Sequence, residues 1–222
     1  NPVQPAADSN AWQQKTFKDV ADSGEYWYKV TAANHDPAYG NVEITISPAE
    51  VSLTAEVEQT RTYNGTTAAT VTKVNGSNYM AGSAVTVKGV NGETFQMTVS
   101  AAYANANVGE DKPVTITYTR DESSTAVLSN YIFKNRAGDT LRVQGNTIQD
   151  TSSAAITPKS LNVALSGTLT AVYDGKVPEL DAVTWNVDDQ LESQNGTKDN
   201  PQISLSLPED AIEASDTPYN IV

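Results

Sequence analysis

The chain has 222 residues, 38% of them hydrophobic, with 14 Lys plus Arg against 27 Asp plus Glu, a net charge of −13 and no cysteine. That composition supports ordinary β-cores and excludes disulfides, thiolate nucleophiles and Cys-ligated zinc, while the negative field repels nucleic-acid backbones and anionic lipid. No apolar run approaches the ~18 residues of a spanning helix, so neither nucleic acid nor membrane insertion is expected.

The opening "NPVQPAADSNAW" has neither a basic region nor an apolar one, so for an exported protein the signal and anchor are expected outside this fragment. Period-2 alternation then recurs at 25–31 ("EYWYKVT"), 41–47, 51–57, 84–90, 94–100, 113–119 and 202–208, and predicts half-buried strands. Between them stand Asn-Gly at 64–65, 75–76, 91–92 and 195–196 and Asp-Gly at 174–175, dipeptides suited to tight hairpin turns. Short strands with such turns between them predict antiparallel sandwiches rather than βαβ units.

Placed over each other at an offset of 110, residues 46–65 ("ISPAEVSLTAEVEQTRTYNG") and 156–175 ("ITPKSLNVALSGTLTAVYDG") coincide at Ile46/Ile156, Pro48/Pro158, Thr60/Thr170, Tyr63/Tyr173 and Gly65/Gly175. The expected fold is therefore all-β, tandem immunoglobulin-like β-sandwich repeats of about 110 residues in an elongated array. On this register 1–47 is the C-terminal part of one repeat, 48–157 a complete one, and 158–222 the N-terminal part of a further one. Pro48 and Pro158 end one strand and stiffen passage into the next module, because proline fixes φ and removes a donor. Tyr63 and Tyr173 read as packing anchors beside turns in which Gly65 and Gly175 supply positive φ. The end pieces sum to about one repeat, so neighbouring repeats and head-to-tail self-association are expected partners.

These motifs resemble the MBG and YDG families of bacterial immunoglobulin-like repeats found in adhesin-like surface proteins. The resemblance is carried by Ile156–Lys159, "YNGT" at Tyr63–Thr66, Tyr173–Gly175, "ANVGEDKPVTIT" at Ala106–Thr117 and "SNYIF" at Ser129–Phe133. The opening segment Phe17–Pro48, with its Asp-Ser-Gly-x-Tyr, resembles the closing half of related repeats. Departures are Asn64, Lys176 and an inserted stretch at Lys134–Gln149. The resemblance implies an extracellular or cell-surface stalk module with no catalytic residues to transfer.

Chemistry-bearing patterns are sparse. The one histidine, His35 in "AANHDPAYG", reads as a solvated turn residue, and no HExxH, Walker loop or nucleophile elbow occurs. Glu110–Asp111, Asp121–Glu122 and Asp188–Asp189 read as solvated loop charge; the stretch holding Asp188, Asp189 and Asp199 is the best place for Ca2+, yet it lacks an EF-hand pattern, and no cofactor is expected. Of the aromatics, Tyr26 and Tyr28 share one strand face and are expected in the core, whereas Trp27 and Trp185 are the candidate platforms for a host glycan or glycoprotein. A non-enzymatic spacer is expected first; the alternatives are an adhesive module and an accessory domain of a secreted polysaccharide hydrolase.

Overall fold

The computed structural model describes residues 3–7, 12–166 and 184–188. The chain is all-β, without an α-helix among the described residues, and divides into two compact units: Asn1–Gln59, Ala68–Ala104 and Lys112–Ala154; and Thr60–Thr67, Asn105–Asp111 and Ala155–Val222.

In the first unit, β1 (Gly24–Val30) and β2 (Ala38–Ile44) form an antiparallel hairpin in which Tyr26 faces Val42 and Tyr28 faces Gly40. The run expected at 51–57 divides into β3 (Ala49–Ser52) and β4 (Ala55–Val57). Leu53, fully buried, donates its N–H to the Lys134 carbonyl at 2.8 Å, and Thr54 donates its own to Asn75 Oδ1 at 2.9 Å, so the chain changes partners there. After β5 (Thr60–Thr62) and β6 (Ala68–Ala69), strands β7 (Val71–Val74) and β8 (Ser77–Asn78) turn at Asn75–Gly76, where φ is 46° and 79°. Both residues take the positive φ of a primed turn, as the Asn-Gly pair requires. Asn91–Gly92 does the same between β9 (Val85–Lys88) and β10 (Thr94–Tyr103), at 50° and 79°.

The core follows from alternation. β10 buries Phe95, Met97, Val99, Ala101 and Tyr103, and its antiparallel partner β11 (Gly109–Arg120) buries Val114, Ile116 and Tyr118 on the same period. β12 (Tyr131–Lys134) adds Tyr131 and Phe133, whose rings lie 5.0 and 5.2 Å from that of Phe95 in edge-to-face geometry. The Lys134–Gln149 stretch is not appended to the outside of the domain. It turns at Asn135–Asp139, buries Leu141, and continues through β13 (Arg142–Gln144) into β14 (Thr147–Thr157), where Ile148 is fully buried. The main sheet of this unit runs β13-β14-β11-β10, with β6 and β9 each pairing with β10.

The antiparallel expectation needs one correction. β3 pairs with β12 in parallel, Ala49↔Tyr131 to Ser52↔Lys134. In the second unit β5 likewise pairs in parallel with the end of β14, Thr60↔Ala155 to Thr62↔Thr157. Opening strands thus lie beside strands 82 (131 − 49) and 95 (155 − 60) residues later, pairings that local periodicity does not encode. The second unit also holds β15 (Asn162–Ser166) and β16 (Thr184–Asp188), which pair antiparallel with Leu165 opposite Trp185.

Candidate functional site: a polar clasp at the start of the hairpin

The segment ahead of β1 is organised around one carboxylate. Asp22 closes a 3-10 turn, Val20–Asp22; its Oδ2 accepts the backbone N–H groups of Lys18 and Asp19, each at 3.0 Å, and its Oδ1 pairs with Lys15 Nζ at 3.2 Å. The Asp19 and Lys18 amides, then Lys15, hold the Asp22 carboxyl down at about 2. Tyr26, four residues on, donates its hydroxyl to the Asp22 carbonyl at 2.8 Å. A tyrosine near the start of a strand bonding back to the backbone a few residues upstream forms a tyrosine corner. Lys15 Nζ donates to the same hydroxyl at 2.9 Å and lies 4.6 Å from the ring centroid; Phe17 packs edge-on against that ring at 4.7 Å.

This organised turn is fastened to the core. Asn130, in a second 3-10 turn (Leu128–Asn130), donates Nδ2 to Asp19 Oδ1 at 2.6 Å and accepts the Val20 N–H on Oδ1 at 2.9 Å. Glu93 accepts the Tyr131 hydroxyl at 2.7 Å and pairs with Lys18 Nζ at 3.2 Å, and both contacts draw its carboxyl below the ordinary value, the tyrosine first. Tyr131 also accepts the Val90 N–H at 3.0 Å and lies so close to Gly89 that a Cβ there would stand 2.5 Å from its oxygen. Glycine is the residue that this approach allows. The amide of Asn130 and the carboxylate of Glu93 therefore clasp three consecutive residues, Lys18, Asp19 and Val20.

The sequence-selected residues fall elsewhere. Trp27 is half-buried opposite Asn41, while Tyr28, expected in the core, is 48% exposed with its ring laid over Gly40. Among the described residues Tyr28, Val30 and Val42 are exposed, while Phe17 and Lys15 cover Tyr26. On the opposite face Trp12 stacks on Tyr39 at 5.3 Å and Lys29 Nζ donates to the Ala7 carbonyl at 2.7 Å. His35 is exposed in the turn after β1. Pro48 is half-buried and Pro158 exposed. Tyr63 is half-buried and donates its N–H to the Thr157 carbonyl at 2.8 Å, and Gly65 takes a φ of 75° after Asn64, whose Oδ1 accepts the Thr66 N–H at 3.1 Å. Tyr173, Gly175, Asp189, Asp199, the 202–208 run and the turns at 174–175 and 195–196 lie outside the described residues, as do the side chains of Trp185 and Asp188.

Among the described residues no three His, Asp or Glu side chains gather so as to hold a metal ion. Asp121 instead caps its own turn, accepting the Ser123 hydroxyl at 2.6 Å and N–H at 2.9 Å. A cleft of about 490 Å3 lies between Val127, Tyr131, Val143 and Asn146, with Arg120 at its side. That guanidinium is committed to the loop, donating Nη2 to the Ser124 and Ala126 carbonyls at 3.1 and 3.2 Å.

With the geometry in place, residues 47–141 match one family model. They form a YDG domain. The YDG match opens at the residue before Pro48 and ends at Leu141, so it takes in the clasp residues Glu93, Asn130 and Tyr131 but not the β1–β2 hairpin. No curated protein and no solved structure shows a significant match to the chain. Sequence reasoning missed the clasp because its partners are 110 and 111 residues apart; the Asp-Ser-Gly-x-Tyr pattern was its one local sign.

Proposed function

We propose that the chain is a structural spacer, a run of immunoglobulin-like repeats within a bacterial cell-surface or secreted adhesin-like protein, with the YDG domain as its complete unit. The observation that carries this reading is the pair of matched junctions. Four residues (45–48) join β2 to β3 and four (158–161) join β14 to β15, with Pro48 last in the one and Pro158 first in the other, 110 residues apart in the chain. Links so short and stiffened hold successive modules near one orientation.

Two further features support it. The tyrosine corner of Tyr26 supports reading the β1–β2 hairpin as the closing part of a preceding repeat. At the offset of 110, β15 and β16 fall on residues 52–56 and 74–78, and the Leu165↔Trp185 pairing stands one residue from the Ala55↔Val74 pairing of β4 with β7. Solution scattering of the whole chain tests the reading. A radius of gyration well above the ~17 Å of a compact protein of this length is expected, and a value near ~17 Å would overturn it.

The exposed Tyr28 favours a second reading, adhesion to a host glycan or glycoprotein, since an aromatic with an open face is a stacking platform. A glycan and mucin array run beside Tyr28→Ala and Trp27→Ala variants separates the two. Binding lost in either variant would promote adhesion, and silence from folded protein counts against glycan recognition.

A further inference from the structure

We infer that Asn91–Gly92 is a site of spontaneous deamidation, and that its isoaspartate product loosens the clasp on Lys18, Asp19 and Val20. In this reaction the Gly92 backbone nitrogen attacks the carbonyl carbon of the Asn91 side chain. The new C–N bond closes a cyclic imide, the bond from that carbon to Nδ2 breaks, and ammonia leaves with the Gly92 amide proton. Water then opens the ring at either carbonyl, giving aspartate or an isoaspartate whose backbone runs through the former side chain. Only water is consumed, and nothing is oxidised or reduced.

Glycine after the asparagine leaves its nitrogen open to attack, since no Cβ stands beside it. The described residues hold three such pairs, at 64–65, 75–76 and 91–92. The turns at Asn75 and Asn91 are matched in backbone. Both are exposed, both take two positive φ values in succession, and neither glycine has an atom within 4 Å of where a Cβ would stand. The cost of swinging the backbone out of such a turn is therefore shared. The side chains differ. Asn75 Oδ1 accepts the Thr54 N–H at 2.9 Å and the Thr54 hydroxyl at 3.4 Å, and the Asn75 N–H donates to the Thr54 carbonyl at 2.9 Å. Asn64 Oδ1 accepts the Thr66 N–H at 3.1 Å, the Thr66 hydroxyl at 2.9 Å and Arg61 Nη1, and Gly65 is buried. Among the described residues nothing bonds the exposed Asn91 side chain. A pinned amide must break its bonds before its carbon can reach the glycine nitrogen, whereas that of Asn91 turns freely.

The place of this turn gives the product its effect. Val90 and Glu93 flank it, closed by the Glu93 N–H on the Val90 carbonyl at 2.9 Å and the Gly89 N–H on the Glu93 carbonyl at 2.8 Å. The same two residues grip Tyr131: its hydroxyl accepts the Val90 N–H at 3.0 Å and donates to the Glu93 carboxylate at 2.7 Å, which in turn holds Lys18. Isoaspartate inserts one more backbone carbon between Val90 and Gly92, so the turn no longer returns Glu93 to that place. Gly89 has no room to absorb the shift, because the Tyr131 ring end lies against it.

Incubating the full chain at mildly alkaline pH and mapping its peptides by mass reads the conversion at each pair, with isoaspartate separated from aspartate by chromatography. Asn91 is expected to convert at least about tenfold faster than Asn75 or Asn64, the ratio that one or two lost hydrogen bonds set. Equal rates, or a slower Asn91, overturn the inference. The same chain in denaturant is the reference: there the three rates should converge, and a preference for Asn91 that survives unfolding would belong to the local sequence and overturn the structural account. Amide exchange on the isolated isoaspartyl form then tests the consequence. Faster exchange than in fresh protein at Lys18, Asp19 and Val20, with β11 still protected, is expected. Exchange unchanged at those three residues would show that the clasp does not depend on this turn, and would overturn the second half of the inference.

Discussion

The YDG core and the β1–β2 hairpin are both built of strands with alternating sequences, and they are held in different ways. Every buried side chain among the described residues lies between Val51 and Ile156; the hairpin buries none, although its strands carry Tyr26, Trp27, Tyr28 and Tyr39. The core has partners on both sides of its aromatic residues, and the hairpin replaces a facing layer with Phe17, Lys15 and the clasp to Asn130 and Glu93. Aromatic content alone therefore does not make a core. What decides is whether distant strands are brought over the face.

Phe133→Ala should widen that contrast most. It removes a fully buried ring packed on Phe95, and a loss of about 3–5 kcal/mol in the denaturant unfolding of the core is expected. Gly89→Ala comes next: its Cβ would stand 2.5 Å from the Tyr131 oxygen, so the tyrosine must leave Val90 and Glu93, at about 1–3 kcal/mol by the same measurement. Asn130→Ala acts on the clasp alone. Losing both side-chain bonds should cost about 1–2 kcal/mol, read as faster amide exchange at Val20 while protection across β10 and β11 is kept. An equal fall in core protection would mean that the two regions are one cooperative unit.

Acid gives the gentlest separation. Asp22 is held at about 2 against an ordinary 3.8, and Glu93 is lowered in the same direction, so both favour the clasped state fully above their unfolded values. That contribution is lost as pH falls from about 4 toward about 2, because protonation removes the acceptors that Lys15, Lys18 and the backbone amides use. Amide exchange at Lys18 and Asp19 should rise over this window before the core responds. Unchanged exchange down to about 2 would show that the carboxylates do not hold the hairpin.

Much of this was legible in the chain and some was not, for physical reasons. β10 and β11 announced themselves because a half-buried strand must alternate, and the turns at Asn75–Gly76 and Asn91–Gly92 because few residues accept two positive φ values in succession. The exposure of Tyr28 was misread, since alternation says which residues share a face and not whether anything covers it. The Lys134–Gln149 stretch looked like an insertion because its two core residues, Leu141 and Ile148, are seven apart across a turn and a hairpin. Of the clasp, the Asp22–Tyr26 corner was written locally; Asn130 and Glu93 reached it only through the folding of the whole domain.

The parallel pairs also set a timetable. β1 meets β2 within a few residues, so the hairpin can close as soon as it is made, but β3 waits for Tyr131 and β5 for Ala155. Loop closure over such separations is slow. A chain emerging N-terminus first from a ribosome cannot complete the β3–β12 pair until Lys134 is out. Val51 and Leu53 lack their β12 neighbours until then.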